Sequence, residues 1–177
     1  MDKQTTNKPS PHAGQEHHHH GVKAARGQGR DVQITAADGT GQAVEFAMQS
    51  NLIDPETECL SFNKGKDGLG KQDYYLINFT LIDKSSKNLA FEPNPMKALW
   101  VSMGDAMTFP PCPMSPSYCE DVYAISVDPS GKKMTVRNND AKFQNFKFSL
   151  GFIGDPADSE YRFDPGGQNQ NGGVARD

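Results

Sequence analysis

A chain of 177 residues, 35% hydrophobic and 23% charged, is long enough for one domain with a sizeable core and too short for two of ordinary size. Its net charge of -4 is uneven: residues 1–30 carry Lys3, Lys8, Lys23, Arg26 and Arg30 against Asp2 and Glu16, a net +3, and residues 31–177 carry -7. An acidic body repels a phosphate backbone, and no window approaches the roughly 18 apolar residues of a spanning helix, so the reading is no nucleic acid and no membrane.

Residues 1–30 hold too few apolar side chains to offset the entropy of ordering them and are expected to form a flexible tail. From residue 31 the dominant period is two. Val44, Phe46 and Met48 alternate with polar or small neighbours, and Tyr75, Ile77, Phe79 and Leu81 repeat the pattern. Between them, Asn63-Lys64-Gly65-Lys66-Asp67-Gly68-Leu69-Gly70 reads as a long flexible loop. Glu92-Pro93-Asn94-Pro95 reads as extended or turn geometry, unsuited to a helix interior. Leu99, Val101 and Met103 then alternate across Trp100, which is expected to anchor the core, and Tyr123, Ile125 and Val127 alternate next. Asp128-Pro129-Ser130-Gly131 closes a hairpin into Met134, Val136 and Asn138.

The strongest alternation is Phe146, Phe148, Leu150 and Phe152, which marks a strand central to its sheet. These four are expected inside, with Lys147, Ser149 and Gly151 facing solvent or a partner, and Gly151 at a bend or a close backbone approach. No helical period is sustained for two turns, although Asp140 to Asn145 leaves room for a short helix. About eight short strands separated by turn signals predict an all-β fold, an antiparallel β-sandwich of immunoglobulin-like shape over residues 31–164; a small closed β-barrel is the alternative. Residues 165–177, rich in Gly, Asn and Gln, read as a second flexible tail.

Chemistry-bearing residues are few. His12, His17, His18, His19 and His20 are all the histidines of the chain, so residues 31–164 have none. On a mobile segment they chelate Ni, Zn or Cu adventitiously, and no cysteine or carboxylate cluster of structural-zinc spacing backs them. Their position also removes Ser-His-Asp and Cys-His catalysis from the core unless the tail folds back. Cys112 and Cys119 bracket six residues beside Glu120 and Asp121; small half-buried thiols are favoured over a disulfide, and a catalytic thiol comes last because neighbouring acids raise a thiol pKa. Cys59, after Glu56 and Glu58, reads the same way. Asp54, Glu56 and Glu58, and the set Asp155, Asp158, Glu160 and Asp164, lack an EF-hand pattern and read as solvated turn acids. The glycines of 65–70 spell no phosphate-binding motif.

The string Phe91-Glu92-Pro93-Asn94-Pro95, Leu99-Trp100-Val101, Pro111-Cys112-Pro113, Thr135-Val136-Arg137-Asn138, Phe148-Ser149-Leu150-Gly151-Phe152 and Tyr161-Arg162-Phe163-Asp164-Pro165-Gly166-Gly167, with Asn171-Gly172-Gly173, resembles a group of small uncharacterised bacterial proteins. The resemblance spans residues 31–173 and implies a single β-sandwich domain with a Phe-rich last strand. Some members carry the label "nucleotide synthetase", which the absent phosphate motif does not support, and the group brings no catalytic residue to carry over.

The function expected from these readings is a non-enzymatic binding or self-assembly module, with a protein partner or self-association through edge strands and tails, and no cofactor. Metal handling by the His-rich tail is the alternative. A carboxylate-based enzyme at Asp155–Asp164 is the third. Three cysteines and no apolar leader point to a cytoplasmic location.

Overall fold

The computed structural model describes residues 24–41, 43–157 and 159–170. They form β1 (Gly27–Asp38), β2 (Val44–Gln49), β3 (Leu60–Phe62), β4 (Tyr74–Asp83), β5 (Ala90–Phe91), α1 (Pro95–Ala98), β6 (Leu99–Met103), β7 (Val122–Val127), β8 (Lys133–Asn138), β9 (Gln144–Gly154), β10 (Ser159–Phe163) and β11 (Gly166–Asn169). Among the described residues no helix is long and apolar enough to cross a membrane.

Two sheets pack face to face as an all-β sandwich. The first runs β2-β1-β4-β8-β7. The second is built on β9, with β5 and β6 along one flank, β10 and β11 along the other, and β3 outside β11. Neither closes into a barrel, because β2 and β7 end the first sheet unpaired among the described residues. The sheets are mixed rather than purely antiparallel: β1 runs parallel to β4 from Gly27↔Tyr74 to Ala36↔Asp83, and β11 runs parallel to β3. Turn signals reveal only the hairpins that close locally. A parallel partner must arrive by a long connection and leaves no such mark.

The alternating sets meet in one core. Val32, Ile34 and Ala36 of β1 and Tyr75, Ile77, Phe79 and Leu81 of β4 face Phe146, Phe148, Leu150 and Phe152 of β9. Phe152 is stacked between Phe46 at 4.9 Å and Phe91 at 4.8 Å, and Phe79 meets Phe148 at 6.0 Å. The β7–β8 hairpin forms as expected, with Gly131 at φ +65° and its amide donating to the Asp128 carbonyl at 2.9 Å.

Several expectations are corrected. Strands run into both stretches read as tails: residues 27–30 belong to β1 and pair with β4, and residues 166–169 form β11 between β9 and β3. Main-chain ladders secure both, so low apolar content is a poor guide there. The glycines of β11 are needed where bulk is forbidden, since a Cβ on Gly167 would stand 2.2 Å from the Phe146 ring. A bulge between Ala124 and Ser126 breaks the expected Tyr123-Ile125-Val127 face, leaving Ile125 exposed while Val122, Ala124 and Val127 reach the core. Pro95 opens α1 at its first position, where a missing N–H costs nothing, and the Asn94 side chain caps the Met96 amide. Residues 140–143 form an irregular connection instead of a helix. The loop at 63–70 is closed by turn hydrogen bonds and sends Lys64 and Leu69 inward.

Trp100 is not in the core. It lies on the outer face of the second sheet, where the Arg162 guanidinium stacks 3.4 Å from its ring centroid. Ser149, paired with Trp100, is buried beside it, so the outer face of β9 is covered at its middle rather than open to solvent. Gly151 is the expected close approach: a Cβ there would meet the Lys97 carbonyl at 2.7 Å and Arg162 at 2.7 Å.

Candidate functional site

Three features stand out from the packed interior. The first is a cleft of about 470 Å³ beside β2, where Met48, Ile53 and Phe163 form apolar walls around Cys59 and Lys147. Gly166 holds the thiol and the ammonium on either side of one point, its absent Cβ standing 2.6 Å from Cys59 Sγ and 3.3 Å from Lys147 Nζ. The ammonium also lies 5.2 Å from the Phe109 ring centroid. Burial pushes the Cys59 thiol up, the Lys147 charge pulls it back only in part, and Sγ donates to the Thr57 carbonyl at 3.3 Å. This thiol stays protonated at neutral pH and behaves as a small hydrophobe, not a nucleophile.

The second is a polar end of the sandwich. Tyr75 donates to Asp67 at 2.7 Å, and Arg30 pairs with the other oxygen of the same carboxylate at 2.7 Å. Deeper, Asn138 and Asn169 exchange two hydrogen bonds, and Lys64 Nζ donates to the Lys71 carbonyl. Asp140 follows β8 in left-handed backbone at φ +42°, fully buried, with neither carboxylate oxygen hydrogen-bonded. Burial pushes its pKa up to about 7, against the opposing pull of the Lys64 charge and amide, which lie nearby without closing a hydrogen bond on it. Desolvation lowers the Lys64 pKa and raises that of Asp121. A buried lysine and a buried carboxylate without a hydrogen bond thus share this end of the fold, where burial disfavours the charged form of each.

The third is the segment from 104 to 121 that joins β6 to β7. Asp105 caps the Met107 and Thr108 amides, and Ser117 hydroxyl donates to the Val101 carbonyl while accepting from the Val101 amide. Between these anchors Met107 and Met114 project outward, as does Tyr118 just after Ser117, and Phe143 is exposed on the neighbouring connection. Phe109 turns back toward the first cleft, 3.4 Å from the position a Gly166 Cβ would take. A second cleft of about 560 Å³, with Met103, Cys119, Asp121 and Gln144 among its walls, opens at the end of the segment.

The residues singled out in the sequence are dispersed. His12, His17, His18, His19 and His20 lie outside the described residues, and among the described residues no three metal-binding side chains converge. Cys112 and Cys119 are free thiols, half-buried. Asp54 is occupied in capping the Glu56 and Thr57 amides. Asp155 accepts from the Asn88 side chain, while Glu160 and Asp164 act electrostatically on Arg162; Asp158 lies outside the described residues. Sequence reasoning missed the Lys64–Asp140 pair, whose members come from connections far apart in the chain. The one local signal was the run Asn138-Asn139-Asp140 at the end of a strand, since Asn and Asp tolerate left-handed backbone. No family model and no curated protein matches the chain.

Proposed function

We propose that the chain is a non-enzymatic binding or self-assembly module. The observation that carries this reading is the exposed apolar run of the 104–121 segment, where Met107, Met114 and Tyr118 are 87%, 91% and 61% exposed. Met and aromatic side chains are enriched where protein surfaces meet, and burying one of them is worth about 1.5–3 kcal/mol. The segment is pinned to the sandwich at one end by the Asp105 carbonyl, which accepts from the Asn145 amide, and near the other by Ser117, so its presentation costs little ordering entropy on association.

Sedimentation velocity on the full chain and on the triple variant Met107→Ser, Met114→Ser, Tyr118→Ser tests the reading. The parent should sediment as a complex, with itself or with a co-purified protein, and the variant should lose that association while keeping its far-ultraviolet spectrum. An unassociated parent at every concentration would overturn it, and a variant that retains the whole complex would take the 104–121 segment out of the interface.

A further inference from the structure

The two edges of the first sheet are not equivalent. At β7 the bulge at Ile125 disrupts the ladder, which is one of the ordinary ways an edge is blunted against pairing. At β2 the sequence Val44-Glu45-Phe46-Ala47-Met48-Gln49 has no proline, no lysine and no bulge, its register with β1 running unbroken from Gln33↔Gln49 to Asp38↔Val44. Among the described residues no strand pairs with its outer side. Val44, Phe46 and Met48 pack on the core yet remain only partly buried, because the sandwich stops there. Glu45, Ala47 and Gln49 project from the opposite face.

We infer that β2 pairs with β2 of a second copy, antiparallel about a twofold axis at Ala47, so that one sheet runs continuously through both molecules. This rests on the self-assembly reading above but places the contact between copies at β2, leaving the 104–121 segment to a different partner. The strand is self-complementary in that register. Glu45, its one charged residue, faces Gln49 of the other copy, Ala47 faces Ala47, and Phe46 faces Met48 in a sulfur–aromatic pair. No like charges meet. An axis at Phe46 would oppose two phenyl rings that are already committed to stacks with Phe152 and Phe163, at 4.9 and 5.5 Å. A twofold contact of identical strands also closes on itself, which limits the assembly at this edge to a pair.

The experiment places a charge on the axis. Ala47 is exposed, so Ala47→Lys and Ala47→Glu leave the core intact, as melting curves would verify. Light scattering should find the parent dimeric and each variant alone weakened about tenfold or more, because two like charges then face each other directly. An equimolar mixture of the two variants should recover the dimer, which a merely local disturbance of β2 would not do. Ala47→Cys should in addition form an intermolecular disulfide under mild oxidation, since directly opposed strand residues lie within disulfide range. A monomeric parent, or a lysine variant as dimeric as the parent, overturns the inference. If the dimer survives Ala47→Lys but falls to the Met107, Met114, Tyr118 variant, the interface is elsewhere and the self-assembly reading stands without β2.

Discussion

The aromatic middle of the sandwich and its polar end are held together in opposite ways. Phe152, Phe46, Phe91 and Phe148 pack against one another and the apolar cluster, and their stabilisation follows the area removed from water. Around Asp140 and Lys64 burial works against the charges, and the Asn138–Asn169 exchange offsets only part of that cost. A pH dependence of stability is therefore expected from the second region, which buries titratable groups, and not from the first.

The largest effect should come from breaking the middle. Phe148→Ala removes a buried ring between the sheets and is expected to cost about 3–5 kcal/mol in urea unfolding, against a typical total of about 5–15 kcal/mol. The next lies at the polar end and has the opposite sign. The unfolded chain ionises Asp140 near the ordinary aspartate value of 3.8, and the folded chain holds the proton until about pH 7. Between those values the folded state binds the extra proton, so raising the pH through that window removes stability, on the order of 4 kcal/mol at most. Asp140→Asn, neutral and tolerant of left-handed backbone, should therefore match the parent near pH 4 and exceed it at pH 8. Equal denaturation midpoints for the two chains at pH 8 would contradict the burial of an unbonded carboxylate.

Gly167→Ala probes the place where the two regions meet, since β11 carries both the close approach to Phe146 and the buried Asn169. Overpacking of about 1–3 kcal/mol is expected, seen as a lower melting temperature. Lys147→Ala, on the outer face of the same strand as Phe148, should cost under about 1 kcal/mol, the contact with the Phe109 ring being what it loses. If Lys147→Ala and Phe148→Ala proved equally mild, the assignment of the β9 faces would be wrong.

The middle was legible because period-two alternation is local: the inner residues of β4, β6 and β9 can be read from a handful of neighbours. β1 was passed over, although Val32, Ile34 and Ala36 alternate within it, and its first pairs rest on Gly27 to Arg30, whose partners lie in β4. Composition misled at β11, where Gly166 and Gly167 mark crowding instead of mobility. Trp100 carried a strong core signal, and the stacking that places it outside depends on Arg162, more than sixty residues away in the chain. The exposed residues of the 104–121 segment were visible as letters, but their projection follows from anchors at Asp105 and Ser117 that no period describes.

Both flanks of β9 are interrupted, and the interruptions are out of step. On one side the ladder passes from β6 to β5 at Gly151, where the Glu92 amide still reaches its carbonyl; on the other it passes from β11 to β10 around Phe148, whose amide donates to Pro165. The arrangement is that of brickwork with staggered joints. A tear that starts in one course meets unbroken material in the next, so no seam crosses the second sheet from edge to edge. Four short strands thereby cover β9 without a shared break, and the corners between them carry α1 and the approach to the cleft at Gly166.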